Sequence, residues 1–333
     1  MTLLTSLPPE VLLDILAYLP LRSLLSFGQA SKISHQLASC AMHRLSLGIF
    51  PTRLSGILSR LSGVSTLDLY SPSHLEDVQD DTRIASIVIP DAATLNSYSL
   101  LAFHNALISA VLSRYAYSLR DLDLTIWMLT PPIAKALGSA RGLKRLRLRV
   151  ENPFKLRGGL RAGDRDVQRR LPPEKGGLWD TFPGSWHKLE GLMIDGSIIG
   201  LDTLQGILKG CGCLKELWLK NCPNISGKLV EFLANDWNGA YALEGLGLAN
   251  CGIVHDDDLE PIIHLTRLKL LSLYDCRGLD NDNVNKINKG TWKIRHLILS
   301  DSMDLPSEHH IIEVDPAYMS SEANIESSSE ESD

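Results

Sequence analysis

Leucines recur along the chain in a six-residue pattern, L-x-x-L-x-L, in which apolar and polar positions alternate. Sequences of this kind start at residues 64, 119, 143, 189, 214, 243, 268 and 294. From residue 119 onward the spacing is about 25 residues, and the step from 143 to 189 is close to two such periods. The alternation predicts short β-strands with their leucines on one face. One such unit cannot bury its apolar face alone, so the period predicts a stack of units.

The segments between these strands predict helices. Apolar residues at helical spacing favour return helices at 201–210, 227–236, 256–265 and 281–290. Three strands are followed by a cysteine at the same offset, in the sequences LKELWLKNC, LEGLGLANC and LKLLSLYDC, which end on Cys222, Cys251 and Cys276. This arrangement resembles the cysteine-containing leucine-rich repeats. The resemblance implies an α/β fold, a curved solenoid with a parallel sheet on its concave face and helices outside.

Two regions fit the period less well. In residues 70–100 the sequence IASIVI, residues 84–89, is a candidate degenerate repeat. Residues 151–188 are interpreted as an insertion loop. Within them the segment 155–177 carries seven basic and three acidic side chains.

The first helix predicted in the chain, residues 7–19, is apolar on almost every side. Pro8 and Pro9 suit its first turn and Pro20 ends it, while only Glu10 and Asp14 are suited to water. A short helix follows with Leu21, Leu24, Leu25 and Phe27, and a longer one from about Ser31 is expected to direct Ile33, Leu37, Cys40 and Ala41 inward. Three short helices enclose too small a core to cover this apolar surface. This excess of apolar surface predicts that a partner protein covers the first helix.

The residues of these helices resemble an F-box over about residues 4–47, in the pattern L-P-x-E-V-L-x-x-I-L-x-x-L-P-x-x-S-L-L-S-F-x-Q-A-S. Many F-boxes carry a tryptophan soon after that serine, where this chain has Ile33 and His35. The resemblance implies a substrate receptor of a cullin-RING (SCF-type) ubiquitin ligase, whose partners are a Skp-type adaptor and a cullin. It assigns the adaptor contact to Leu7, Pro8, Val11, Leu12, Ile15, Leu16, Leu19, Leu24 and Leu25. The alternative is that these side chains form internal core.

The predicted domain order is an F-box at 1–50, a linker at 51–63, a leucine-rich-repeat solenoid at 64–300 and an acidic tail at 301–333. The tail holds ten acidic residues and no Lys or Arg, so a net charge of −6 for the whole chain leaves about +4 for residues 1–300. Its last stretch, SSEANIESSSEESD, has too few apolar residues to fold. The tail is therefore predicted to be disordered.

The polar positions of the strands predict where a target protein binds. Stacking the strands places Arg145 and Arg147 beside Asp121 and Asp123, whereas Arg149 has only Asp195 nearby. Small residues at 245, 247 and 249 leave a shallow strip between Trp218 and Tyr274, which suits an inserted apolar side chain. The predicted target-binding residues are Arg149, Met193, Trp218, Lys220 and Tyr274. The alternative is that Trp218 only covers the sheet.

Motifs of catalysis and metal binding are missing from the sequence. It contains no G-x-S-x-G, H-E-x-x-H or G-x-x-x-x-G-K-[ST], and Cys211 and Cys213 are too closely spaced for half a zinc ribbon. We therefore expect a noncatalytic protein with no cofactor and no metal, and structural cysteines with free thiols. No secretory or membrane segment is evident, which favours an intracellular site in the cytoplasm, the nucleus or both. The alternative function is a leucine-rich-repeat scaffold, or an F-box protein acting outside a ligase; nucleic acid is not an expected partner.

Overall fold

Three helices open the part of the chain that the computed structural model describes, which comprises residues 7–50, 84–89, 97–150, 177–182 and 184–300. They are α1 (Pro9–Ala17), α2 (Leu21–Gln29) and α3 (Lys32–Cys40). Proline precedes α1 and α2 in extended conformation, and Ser31 caps α3 by accepting a hydrogen bond from the Ser34 N–H at 3.0 Å. The three predicted helices are confirmed, although α1 is two residues shorter at each end than the predicted 7–19.

Nine parallel strands form one sheet among the described residues. Their bounds are β1 (Arg44–Phe50), β2 (Ile84–Val88), β3 (Asp121–Ile126), β4 (Arg145–Val150), β5 (Gly191–Asp195), β6 (Glu216–Lys220), β7 (Gly245–Ala249), β8 (Leu270–Leu273) and β9 (His296–Leu299). The spatial order is β2-β1-β3-β4-β5-β6-β7-β8-β9, so from β3 onward each strand pairs with the next in sequence. The predicted strands from residue 119 onward are confirmed.

Helical segments connect most of the strands. The α-helices are α4 (Ser97–Tyr115), α5 (Pro131–Ser139), α6 (Leu201–Lys209), α7 (Lys228–Asn235) and α8 (Asn281–Ile287). The return segment predicted at 256–265 is instead a 3-10 helix, Asp256–His264, with Pro261 inside it. Proline lacks an N–H and its ring clashes with the preceding turn, which disfavours an α-helix there.

The predicted columns across the sheet match the observed register. Arg145 pairs with Asp121 and Gly191, and Trp218 pairs with Met193 and Gly247. The pairing follows from the two-residue period of a strand, because a slip of one residue would turn every leucine to the opposite face.

A repeated local structure follows four consecutive strands. A residue with positive φ follows each of β5 to β8: Gly196, Asn221 and Asn250 lie directly after β5, β6 and β7, and Asp275 is the second residue after β8. After β6, β7 and β8 the positive-φ residue is followed by a cysteine. Its thiol donates a hydrogen bond to a carbonyl oxygen of the neighbouring strand that comes earlier in the sequence. These bonds join Cys222 to Ile194 O, Cys251 to Leu219 O and Cys276 to Leu248 O. Burial raises the pKa of the Cys276 thiol to about 12, so it stays protonated and able to donate.

One continuous apolar core joins the N-terminal helices to the sheet. It includes Leu16 and Leu24 from the helices, Leu45 and Leu47 from β1, and extends to Leu299 in β9. A second, smaller cluster lies apart from this core and is built around Trp218. The three helices therefore do not enclose a separate miniature core.

The structure differs from the sequence interpretation at four places. The segment 44–50, assigned to the F-box region, is a strand of the sheet, and β2 lies at the sheet edge rather than in line with the later repeats. In α3 the buried residues are Ser34 and Ala38, whereas Ile33 and Cys40 are exposed. Part of the predicted insertion loop is packed into the core, through Trp179, Phe182 and Trp186.

Several predictions lie outside the described residues. They concern the repeat at 64–69, the linker at 51–63, most of the basic segment 155–177 and the acidic tail 301–333. The boundaries between the four predicted segments stay predictions. All six cysteines lie in described segments and are free thiols, of which Cys40 and Cys213 are exposed rather than structural core.

Candidate partner-docking surface

A row of apolar side chains lies exposed on one face of α1. Leu7, Val11 and Ile15 are 38%, 43% and 42% exposed, and Tyr18 is 80% exposed. Val11, Ile15 and the C-cap residue Tyr18 are spaced by four and three residues, which places them on a single side of the helix, and Leu7 lies just before the N-cap Pro8. We refer to these four residues as the α1 stripe.

The opposite side of α1 faces the protein interior. Leu12 and Leu16 are 4% and 1% exposed, and Leu24 of α2 is completely buried. These three residues, which the sequence assigned to the adaptor contact, are core of this chain. The helix has too few polar positions to present a polar face on its outer side, so its second apolar side remains in water.

Two further apolar side chains are exposed on the neighbouring helices α2 and α3. Leu25 of α2 is 43% exposed and Ile33 of α3 is 64% exposed. Of the predicted adaptor-binding residues, Leu7, Pro8, Val11, Ile15 and Leu25 are accessible and Leu19 is half-buried. The contribution of each to a partner contact stays a prediction. Clustered exposed apolar side chains of this kind mark interaction sites more often than scattered ones.

Comparison with protein-family models supports the resemblance of the three N-terminal helices to an F-box. A model described as F-box-like matches residues 4–47. Residues 4–47 form an F-box-like domain. No curated protein matches the chain. The match ends within β1, so the F-box-like domain includes the start of the first sheet strand as well as the three helices.

Tyr18 and Ile33 were not among the predicted contact residues of the F-box-like domain. Tyr18 belongs to the α1 stripe because it lies three residues after Ile15. That spacing was readable from the sequence, whereas Ile33 was interpreted as core. Its exposure follows from the way α3 places Ser34 and Ala38 against the rest of the protein.

The predicted target-binding residues lie on the face of the sheet opposite the described α-helices, which we call the helix-free face. Met193 and Trp218 are almost fully buried, Lys220 and Tyr274 are half-buried, and Arg149 is largely covered. The Arg149 Nε lies 3.5 Å from the Asp195 Oδ2, and both side chains are 11% exposed. Asp195 also accepts a hydrogen bond from the Asn221 Nδ2 at 2.7 Å. Arg149 is thus a partnered group in a polar network.

The predicted gap beside Trp218 is closed by the tryptophan itself. A Cβ placed on Gly247 would lie 2.0 Å from Cε3 of the Trp218 indole, and one on Gly245 would lie 3.5 Å from its Cζ2. The indole therefore lies across the two glycines and is 3% exposed. The prediction of an open gap is wrong because the indole fills it, and a contact of Trp218 with a target stays a prediction.

A ladder of ion pairs at the amino-terminal ends of the strands was missed by the sequence interpretation. Glu190 lies between Lys144 and Lys215, at 3.6 and 2.7 Å, and Glu244 contacts Lys269 at 2.6 Å. Hydrogen bonds from Lys215 and Lys269 hold the pKa values of Glu190 and Glu244 below their usual range. These residues occupy the second position of the leucine pattern, where charge alternates along the chain. That alternation could have revealed the ladder.

A buried histidine links the start of the sheet to α4. His104 is completely buried and stacks on Trp127 with ring centroids 4.7 Å apart. The Trp127 main-chain N–H donates to His104 Nε2 at 3.3 Å, and the Trp127 indole N–H donates to the carbonyl of Ile49 at 2.7 Å. Burial lowers the pKa of His104 to about 4, so the ring is neutral at pH 7. This arrangement is structural.

In the described segments, no group of three or more His, Cys, Asp or Glu side chains is placed to hold a metal ion. None of the described helices is long and apolar enough to cross a membrane. The feature with a clear capacity for interaction is the apolar surface of the F-box-like domain.

Proposed function

We propose that this protein is a noncatalytic substrate-recognition subunit of an SCF-type cullin-RING ubiquitin ligase. In this role the F-box-like domain binds a Skp-type adaptor, which connects the chain to a cullin, and the repeats hold a target protein. The observation that supports the proposal most strongly is the α1 stripe, an exposed apolar row on a domain that matches the F-box-like family.

The α1 stripe suits a protein partner because it presents large side chains from a helix that its own core holds in place. Leu12 and Leu16 anchor the inner side of α1, so Val11 and Ile15 on the outer side need little ordering on binding. Exposed aliphatic and aromatic residues in the centre of an interface commonly supply most of its affinity. We infer that Val11 and Ile15 are central to the adaptor contact, with Leu7, Tyr18, Leu25 and Ile33 around them.

The sheet region is proposed to be a leucine-rich-repeat solenoid of the cysteine-containing type, curved with its helix-free face on the inside. Three features support this: the one-by-one order of β3 to β9, the positive-φ residue after each of β5 to β8, and the repeated thiol-to-carbonyl bonds. On the helix-free face, Lys220 and Tyr274 are the more accessible of the predicted target-binding residues. An adaptor and cullin inside the cell would place the chain in the cytoplasm, the nucleus or both.

The test is a titration of the full chain with a purified Skp-type adaptor. The double substitution Val11→Asp and Ile15→Asp should raise the dissociation constant by about 100-fold or more, because two charges would enter an apolar interface. Ile263→Asp is the matched control, since Ile263 is a similarly exposed aliphatic residue on the 3-10 helix Asp256–His264. It should leave the dissociation constant unchanged.

Two results would overturn the proposal or redirect it. Equal adaptor affinity of the double variant and the wild type would remove the α1 stripe from the contact. Adaptor binding without recruitment of a cullin to the assembled complex would instead favour an F-box protein that acts outside a ligase. Circular dichroism and urea unfolding of each variant must match the wild type, so that a lost contact is not confused with lost folding.

A further inference from the structure

The loops that follow β5, β6 and β7 carry a row of exposed apolar side chains. Ile198 and Ile253 are 52% and 58% exposed, and Pro223 in the loop between them is exposed as well. Ile199 and Val254, which come directly after the two exposed isoleucines, are buried in the main core. The loops are therefore anchored without Ile198 and Ile253. We call Ile198, Pro223 and Ile253 the edge row.

Hydrogen bonds between successive loops hold the edge row in one arrangement. The Asn224 side-chain amide donates to the carbonyl oxygen of Ile198 at 2.8 Å, and the Gly252 main-chain N–H donates to the carbonyl oxygen of Ile225 at 2.7 Å. A Cβ placed on Gly252 would lie 2.6 Å from that same oxygen, so the loops after β6 and β7 are in close contact. Side chains on a backbone held in this way lose little conformational freedom when a partner binds.

The charge beside the edge row is negative. The loops after β7 and β8, residues 250–258 and 274–282, contain six aspartates and one arginine, Arg277. The aspartates are Asp256, Asp257, Asp258, Asp275, Asp280 and Asp282. Three of the six carboxylates cap the 3-10 helix Asp256–His264 and α8 or join the two loops. The other three, of Asp257, Asp275 and Asp282, are exposed, and no side chain among the described residues pairs with them.

The opposite edge of the sheet, where the strands begin, has the opposite charge. The second positions of the leucine pattern lie there and hold five basic and two acidic residues, namely Arg120, Lys144, Glu190, Lys215, Glu244, Lys269 and Arg295. A positively charged partner is therefore repelled from the beginnings of the strands and attracted to the loops that follow them.

The spacing of the edge row fits a short segment of a partner protein. Adjacent strands are about 4.8 Å apart, so the loops that carry Ile198 and Ile253 lie about 10 Å apart, and the loop after β8 lies about 5 Å farther on. In polyproline II conformation, residues i and i+3 lie on the same side of the chain and are separated by about 9 Å. A segment with two apolar residues at this spacing and basic residues next to them matches the edge row and the aspartates together.

We propose that Ile198, Pro223 and Ile253 dock a segment of the target protein that has two aliphatic residues three positions apart and Lys or Arg next to them. The basic side chains of this segment are directed toward Asp257 and Asp275. The identification of the bound protein as the target rests on the proposed function. The docking itself does not, because it concerns this chain and a basic apolar segment.

The test is a fluorescence-anisotropy titration of the full chain with two labelled peptides, Leu-Pro-Pro-Leu-Pro-Lys-Arg-Lys and its reversed sequence. Ile198→Ser with Ile253→Ser should raise the dissociation constant of the tighter-binding peptide by about 10-fold or more, because both apolar contacts are lost. Ile263→Ser is the matched control, since Ile263 is a similarly exposed isoleucine on the 3-10 helix Asp256–His264, and it should leave the dissociation constant unchanged. Equal affinity of the double variant and the wild type, or binding of neither peptide, would overturn the proposal.

A second measurement tests the role of charge. Asp257→Asn with Asp275→Asn should raise the dissociation constant several-fold at low salt and make it less dependent on salt, because two attractive charges are removed. Glu231→Gln on α7 is the control, since it removes another exposed carboxylate, and it should have no effect. A peptide with Glu in place of Lys and Arg should bind about 10-fold more weakly or not at all. Equal binding of the acidic and basic peptides would overturn the proposal.

Two other occupants of the edge row would be recognised by the same titration or by sedimentation. If the basic segment 155–177 of this chain occupied the edge row, the peptides would bind only after residues 155–176 are deleted. If a second copy of the chain occupied it, the wild type would sediment as a dimer and the Ile198→Ser, Ile253→Ser variant as a monomer. Either result would overturn the proposal.

These measurements do not involve the adaptor, so their failure is distinguishable from failure of the proposed function. The edge-row variants should bind the adaptor with wild-type affinity. Loss of adaptor binding by the α1 stripe variants should leave the affinity for the peptides unchanged.

Discussion

Helix α1 and strand β6 are both rich in large apolar side chains, but they differ in how far their outer side chains are exposed to water. In α1 the outer side chains Val11 and Ile15 stand in water, whereas in β6 the outward-facing Trp218 is covered. Trp218 lies across two glycines of the neighbouring strand and belongs to a cluster of its own. An apolar residue on the outside of an element therefore indicates a partner only when its own chain does not cover it. By that criterion, the F-box-like domain presents the open surface.

The largest expected effect separates the two sides of α1. Leu16→Ala should lower the free energy of unfolding by about 4 kcal/mol, because it leaves a cavity in the continuous core. Ile15→Ala, one residue away, should lower it by less than about 1 kcal/mol because Ile15 is already partly in water. Urea unfolding measures both. A similar loss of unfolding free energy in the two variants would mean that α1 is buried on both sides. The contrast between an open α1 and a covered β6 would then be wrong.

A second prediction concerns His104, which links α4 to the start of the sheet. Its folded pKa of about 4 lies below the ordinary value of 6.5, so the unfolded chain binds more protons between these limits. The free energy of unfolding should therefore fall by about 3 kcal/mol as the pH is lowered from 6.5 to 4. Because the ring is linked through Trp127 to Ile49 near the end of β1, α4 and the sheet should unfold together.

The control for this prediction is His104→Gln, which removes the titrating group. Its unfolding free energy should be nearly flat between pH 6.5 and 4.5. Glu190 and Glu244, whose pKa values are lowered, contribute stability that is lost only as the pH falls below the ordinary carboxylate range. A wild-type profile that is already flat above pH 4.5 would contradict the assignment to His104.

A third prediction tests the covered face of the sheet. Gly247→Ala should cost about 2 kcal/mol, because the added methyl group would meet the Trp218 indole and force it away from the strand. Trp218 fluorescence should report the displacement. Gly200→Ala provides the comparison, since a Cβ there meets nothing within 4 Å. Equal stability of the two variants would mean that the indole does not lie over Gly247.

The smallest effect is expected from the ion-pair ladder. Glu190→Gln should lower the unfolding free energy by about 0.5 kcal/mol at low salt, and the difference should vanish at high salt, because surface pairs are weak and screened. Glu10→Gln on α1 is the control, since Glu10 is an exposed carboxylate for which the described residues provide no ion-pair partner, so it should show no salt-dependent loss. A salt-independent loss in Glu190→Gln would point to a packing role.

The sequence predicted the sheet well because a strand has a fixed two-residue period. Once the leucines of each strand were aligned, the pairing of Asp121 with Arg145 and of Trp218 with Gly247 followed without further information. The division of α1 into two apolar sides was also implied, but which side faces inward depends on how α1 packs against the rest of the chain. Sequence periodicity does not contain that packing.

The failures share the same cause. The indole of Trp218 covers the glycines because of its side-chain conformation, which the spacing of residues does not specify. Ile33 and Cys40 were placed inside because α3 was treated as part of an isolated bundle, whereas it packs in a core shared with β1. His104 was not identified from the sequence, although its spacing from Leu100 and Ile108 places it on the buried side of α4.

Hydrogen–deuterium exchange of the full chain, with and without a Skp-type adaptor, tests the central claim most directly. The account predicts slower exchange in α1 and α2 when the adaptor is bound, and unchanged exchange in β6 to β9. Slower exchange confined to the sheet, or no change in α1 at saturating adaptor, would contradict it.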